Sequence, residues 1–222
     1  ASLKGQAIAY DPTSLPVQVH SYLRQAGLTL NAEPDPLVAR KACKTMAEVD
    51  GFRQAHLLDG IALSRFFHWL ETKAVRAQLH EVELAEELSR YRAASETYIC
   101  DSFATIVGWR DHGAIVHYRA EAGRDYALFG DGVLLLDSGA HYRSGTTDIT
   151  RTFYFSESGQ SADAELVRKA SLVLAAHCQL ALTVFPADTN GIQLDAICRS
   201  PLWAEGLDFG HGTGHGVGHI LN

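Results

Sequence analysis

Two aspartates stand at places where a carboxylate needs a reason. Asp137 follows the unbroken apolar run Val133 to Leu136, and Asp148 comes eleven residues later, just before the strand-like stretch ITRTFYF (149–155). A charge at the end of a buried strand is costly unless it is paired or binds a metal. If 133–142 and 146–155 are antiparallel neighbours joined by a turn near Arg143-Ser144-Gly145, the two aspartates lie opposite or nearly opposite each other. Their Cβ atoms would then be about 4.5–5.5 Å apart. Two ionised carboxylates at that distance repel, so either one keeps its proton or a cation sits between them. Carboxylate oxygens suit Mg²⁺ and Mn²⁺, and an added imidazole moves the preference toward Mn²⁺, Co²⁺ or Zn²⁺. The spacing alone fits exposed turn and edge carboxylates equally well.

The natural third ligand is His215, in the terminal stretch DFGHGTGHGVGHILN (208–222). Its glycines rule out a stable helix, so His211 and His215 are not a helical metal-binding pair. They imply instead a backbone in close approach to something, with imidazoles held on a tight loop. Taken alone, the stretch also reads as a disordered histidine-rich tail. His117 ends the apolar run GAIVHY (113–118) and is read either as a cleft residue or as a satisfied core histidine. His177, on the apolar stripe of a long helix, is expected in a core.

The elements that must position these groups follow from periodicity. GQAIAYDP (5–12), a helical segment over 14–27 and LTL (28–30) form a β-α-β fragment, and the proline-containing 31–44 reads as a linker, with a domain boundary near residue 44. Thr45 and Glu48 form a capping box. It opens a helix over 46–72 whose apolar stripe runs through Val49, Phe52, His56, Leu57, Leu63, Phe67 and Leu70. A second helix is predicted over 80–94, with Val82, Ala85, Leu88 and Tyr91 inward. Short β-rich runs follow: FATIVGW (103–109), GAIVHY, GVLLLDSGAHY (132–142) and ITRTFYF, with Gly139 and Gly145 permitting tight turning. Helices over 162–185 and 193–205 close the chain. The first of these places Leu166, Ala170, Val173, Leu174, His177 and Val184 on one stripe. Helices, strands, then helices make an α+β domain with an antiparallel sheet.

Composition narrows the classes. The 222 residues are 46% hydrophobic and 20% charged, with a net charge of −7, which argues against a general nucleic-acid binder. No apolar run approaches the roughly 18–20 residues of a membrane span, and no signal peptide is visible. Cys43, Cys100, Cys178 and Cys198 form no CxxC pair and read as reduced, mostly buried thiols of a cytosolic protein.

Together, DSGAHYRSGTTDITRTF, GAIVHY and HGTGHGVG resemble the cytosolic Xaa-Pro aminopeptidases of the creatinase/methionine aminopeptidase superfamily (peptidase family M24). Each motif is moderately specific, and the three in series are strongly so. The resemblance implies a pita-bread fold, incomplete at its C-terminal side, preceded by the end of an α/β domain. Residues 1–44 would be the C-terminal part of a creatinase-N-like domain plus linker, and 45–222 the N-terminal part of the catalytic domain. It implies two divalent ions, Mn²⁺ first with Zn²⁺ or Co²⁺ as alternatives. Asp137, Asp148 and His215 would be ligands, with Asp148 bridging. His117 would line the substrate site, and His211 would stand near the scissile bond. The implied reaction removes the N-terminal residue from peptides with proline second, via a metal-bridging hydroxide. Peptides are the expected partners, not nucleic acid or membrane, and the expected state is a cytoplasmic homodimer. The family's two glutamate ligands are expected beyond Asn222, so the 222 residues read as a segment of a larger enzyme. Two alternatives remain within the fold: a catalytically inactive peptide- or protein-binding module, and a creatinase-like hydrolase without metal.

Overall fold

The computed structural model describes residues 5–74 and 78–220, and the chain divides into two units, Ala1–Val49 and Asp50–Asn222. In the first unit, strands β1 (Ala7–Tyr10) and β2 (Thr29–Ala32) pair in parallel across helix α1 (Val17–Gln25), as a β-α-β unit requires. The expected linker holds a helix instead, α2 (Pro36–Ala42). Asp35 caps it by accepting from the Leu37 N–H at 2.8 Å, and Pro36 occupies the first turn, where its missing N–H costs nothing.

The capping box forms as the sequence predicts. The Thr45 N–H donates to Glu48 Oε2 at 2.7 Å and the Glu48 N–H to Thr45 Oγ1 at 3.3 Å, which starts α3 (Met46–Trp69). A π turn, Leu70–Ala74, prolongs it. Its buried stripe is Ala55, Asp59, Ala62, Leu63 and Phe66, whereas His56 and Leu57 are exposed. Helix α4 (Glu81–Ala93) likewise buries Glu81, Leu84, Leu88 and Arg92, while Val82, Ala85 and Tyr91 are only partly covered. The expected stripes were right in part: Leu63, Leu70 and Leu88 are buried and Phe67, Ala85 and Tyr91 pack against the core, but the inward charged residues were not anticipated. Here Asp59, Glu81 and Arg92 lie on the inward face, each held by hydrogen bonds.

Two three-stranded antiparallel sheets follow. One has the order β3 (Tyr98–Asp101), β6 (Ala140–Tyr142), β7 (Gly145–Thr146); the other has β4 (Ile106–Trp109), β5 (Gly132–Ser138), β8 (Ile149–Phe155). The main core joins β4 and β5 to the inner faces of α3 and α4 through Phe66, Leu84, Leu88, Val107, Leu134 and Leu136. The hairpin passes from one sheet to the other at Gly139 on the way out and at Thr147-Asp148 on the way back. Gly139 is fixed by close approach, since a Cβ there would lie 2.0 Å from Thr147 O and 2.3 Å from Ser102 Oγ. Tyr142 pairs with Gly145, so the turn is Arg143-Ser144.

GAIVHY is not a strand. Arg110–Ala114 forms a 3₁₀ turn, with Gly113 folded against Gly108. Among the described residues the run pairs with no strand: the Ile115 and Tyr118 N–H groups bond the His112 and Ile115 carbonyls, and the Tyr118 hydroxyl donates to Glu81. Helices α5 (Ala164–Leu182) and α6 (Gly191–Trp203) pack on each other around Ala176, Cys198 and Leu202. The expected stripe of α5 is not a core: Val173, Leu174, Val184 and His177 are exposed. Of the four cysteines only Cys198 is buried, because Cys43 ends α2, Cys100 faces outward on β3 and Cys178 lies on the open face of α5.

Candidate metal centre

Asp137 and Asp148 reach the same cavity by a different register from the simplest one. Asp137 pairs with Thr150, and Ser138 with Ile149. Asp148 therefore lies one diagonal step from Asp137, at a spacing of about 7–8 Å between Cα atoms, instead of directly across. The reason is the two-residue turn at Arg143-Ser144, which moves the hairpin midpoint one residue toward the C-terminus.

The cavity has a volume of about 260 Å³ and is lined by Asp137, Asp148, His215, His117, Tyr118 and Arg119, with Phe103, Ala104 and Ile106 as its apolar wall. Asp137 Oδ1 is buried with no hydrogen-bond partner among the described residues. An acceptor left so costs about 1–3 kcal/mol. The Asp148 carboxyl is pushed above the usual carboxylate range, chiefly by burial and then by the charge of Asp137, with His215 opposing. His215 Nε2 lies 3.4 Å from Asp148 Oδ2. Its Nδ1 lies 3.0 Å from the Gly216 carbonyl. In the tautomer in which Nδ1 donates there, the lone pair is on the nitrogen facing Asp148. Two desolvated carboxylates, one with an orphaned oxygen, and an available imidazole nitrogen are a donor set that fits a divalent cation. Among the described residues, no three His, Cys, Asp or Glu side chains are gathered closely enough to hold an ion as they stand.

Each group has an identifiable support. The loop bearing His215 is no free tail, because Arg199 on α6 pins the residues before it. Its guanidinium bonds Asp208 Oδ1 (2.8 Å), Phe209 O (2.7 Å) and His211 O (2.6 Å), lies over the Phe209 ring at 3.9 Å, and pairs with Asp195 at 2.8 Å. The Thr213 hydroxyl donates to Asp195 as well. His117 has φ +55°, a left-handed conformation that side chains seldom adopt outside constrained sites. The excursion that carries it is gathered by buried Glu81. This carboxylate accepts from the Trp109 N–H (2.7 Å), the Tyr126 N–H (3.0 Å) and the Tyr118 hydroxyl (2.7 Å), with His112 Nδ1 at 3.0 Å.

His211 is the candidate that does not join this group. It lines a separate cavity of about 560 Å³ beside α5 and α6, with its ring 4.8 Å from that of Phe209. Glu81, Asp59, Arg92, Asp195 and Arg199 were all passed over in the sequence. Only Glu81 and Arg92 carried a signal, their helical spacing with Leu84 and Leu88.

Relatives place this geometry in a lineage. The metallopeptidase family M24 profile matches residues 50–222. A Neurospora crassa protein named "Probable Xaa-Pro aminopeptidase P" is 44% identical over 190 residues, covering 84% of this chain and 27% of the relative. A Sordaria macrospora protein of the same name is 43% identical over 189 residues, covering 84% and 30%. The chain thus spans less than a third of the length of these relatives. The crystal structure of X-prolyl aminopeptidase from Caenorhabditis elegans, described as a cytosolic enzyme with a di-nuclear active site, superposes with a TM-score of 0.76 at 32% identity, over 97% of this chain and 42% of that one. The prolidase from Pyrococcus horikoshii shares the pita-bread fold at 21% identity and a TM-score of 0.76, over 97% and 59%. The chain belongs to metallopeptidase family M24.

Proposed function

We propose that the intact protein is a Xaa-Pro aminopeptidase, removing the N-terminal residue from peptides whose second residue is proline. The observation that carries this reading is one cavity on which Asp137, Asp148, His215 and His117 converge from three distant stretches of sequence. The names borne by its relatives supply the substrate class. Asp137, Asp148 and His215 would hold two divalent ions, Mn²⁺ in first place. When bound, the ions supply Lewis-acid activation of water and of the peptide carbonyl.

The chain's own residues do the rest. Asp148, between Asp137 and His215, would serve as the carboxylate shared within the metal centre. His117, on the cavity wall, orients the peptide. His211, on the same loop four residues before His215, faces the separate cavity beside α5 and α6, and its proposed place on the substrate side depends on the intact protein. A peptide bond to proline carries no N–H, so recognition rests on ring shape and on the free amine. In this reading residues 1–44 end a preceding creatinase-N-like domain and 45–222 begin the catalytic one, within a cytoplasmic homodimer. Among the described residues no helix is long and apolar enough to cross a membrane.

The direct check is Asp148→Ala in the full-length protein, assayed for manganese-dependent release of residue one from an Xaa-Pro peptide. Activity is expected to fall at least about 100-fold, at the upper end of what disturbing a metal centre costs. Wild-type turnover would contradict the assignment.

A further inference from the structure

Directly behind the candidate ligands lies a buried ion pair whose stability value is doubtful. Asp59 on α3 and Arg92 on α4 are both fully buried. Arg92 Nε donates to Asp59 Oδ1 at 2.7 Å and Nη2 to Oδ2 at 3.1 Å. Desolvating two charges costs several kcal/mol each, and replacing such pairs by apolar residues is often neutral or stabilising. The reason for a pair here is better sought in what else it holds.

Both partners reach the two ligand-bearing strands next to the ligands themselves. Arg92 Nη2 donates to Ser138 Oγ at 3.0 Å and Nη1 to the Gly139 carbonyl at 3.3 Å, the two residues after Asp137. Asp59 Oδ2 accepts the hydroxyl of Thr147 at 2.6 Å, the residue before Asp148. The same Thr147 oxygen accepts the Ala140 N–H at 3.0 Å, which ties the outgoing strand to the returning one. The Tyr142 hydroxyl donates to Asp59 Oδ1 at 3.2 Å and fills the carboxylate's remaining acceptor capacity. Side chains alternate across an extended strand. Ser138 and Thr147 therefore face the helices while Asp137 and Asp148 face the cavity.

We propose that the Asp59–Arg92 pair is a positioning device for the metal centre, setting the separation of Asp137 and Asp148 through Ser138, Gly139 and Thr147. It rests on the reading of those aspartates as ligands. Two carboxylates that repel when no cation is bound need their backbones fixed from behind. A charged pair reaching from two helices supplies directional bonds that an apolar contact at the same place cannot.

The test is calorimetric titration of the metal-free full-length protein with Mn²⁺ alone, alongside thermal unfolding of each metal-free variant. Thr147→Val removes the hydroxyl and keeps the shape; it is expected to weaken Mn²⁺ binding about 10- to 100-fold, as loss of a supporting partner does. Thr147→Ser keeps the hydroxyl and is expected to bind within about threefold of wild type on the same scale. Ser138→Ala repeats the test on the other strand, with a loss of about tenfold. Folded Thr147→Val or Ser138→Ala protein with wild-type affinity would overturn the proposal, and so would Thr147→Ser binding as weakly as Thr147→Val. Asp148→Ala separates the two levels. If it binds Mn²⁺ normally, the ligand reading fails and the positioning role with it. If it loses Mn²⁺ while Thr147→Val does not, only the positioning role fails.

Discussion

His141 shows how local chemistry near the candidate centre departs from the centre itself. It sits on the short strand beyond Gly139, buried, with Nδ1 2.9 Å from Thr146 Oγ1. Burial pulls its pKa below the ordinary 6.5, and His219 pulls it further. A depressed folded value means the neutral ring is favoured in the native state. Its stability contribution is therefore present above 6.5 and lost as pH falls through the folded value. Urea unfolding at about pH 7.5 and about pH 5 should show wild type losing more stability on acidification than His141→Gln. Equal losses would show that His141 is not the titrating group. At this scale Asp137, Asp148 and His215 were legible, because a carboxylate ending an apolar run and an imidazole among glycines each violate a local expectation. Asp59 and Arg92 were not. A charge on an amphipathic helix ordinarily marks its wet face; the spacing of Arg92 with Leu84 and Leu88 was its one faint signal, and only three-dimensional neighbours show that Asp59 turns inward to meet it.

The segment 110–127, which carries His117, depends on one helix end. Glu81 opens α4, and its carboxylate collects the Tyr126 N–H and the Tyr118 phenol from that segment, and the Trp109 N–H from the strand end just before it. Burial, then the hydrogen bond to Glu81, raise the Tyr118 phenol well above its ordinary range, so it stays a donor. Removing the acceptor strands buried donors, each bond to a charge being worth about 1.5–3 kcal/mol. Glu81→Ala should then lower unfolding stability by about 3 kcal/mol or more, measured in urea at neutral pH. A loss under about 1 kcal/mol would mean the segment is held elsewhere. Helices and long strands could be read to within a few residues because the capping box at Thr45, the run before Asp137 and the alternation before Phe155 are local signals. GAIVHY was misread as a strand for the complementary reason: its fate is set by a carboxylate about thirty residues earlier, which no short-range pattern contains. The hairpin register was misjudged by one diagonal step because Gly145 was taken for a turn residue, whereas it pairs with Tyr142.

At the scale of the molecule, the site stands where the hairpin crosses from one three-stranded sheet to the other. That crossing lets α3 and α4 brace the strands from behind while the loop after α6 delivers His215 from the front. Family membership was legible because three motifs recur in order, each marking a point where backbone or charge is constrained by the site. The open apolar face of α5 was not, since helical periodicity reports that a face is apolar and not whether anything covers it. The claim on which everything else depends is that Asp137, Asp148 and His215 hold metal. The most direct measurement is an anomalous difference map at the manganese edge, from crystals of the full-length protein grown with Mn²⁺. Density is expected between Asp137 and Asp148 and within coordination distance of His215, at about 2.0–2.3 Å from the donor atoms. Manganese bound at His141 and His219, or a cavity at Asp137 and Asp148 that stays without anomalous density at saturating Mn²⁺, would contradict it.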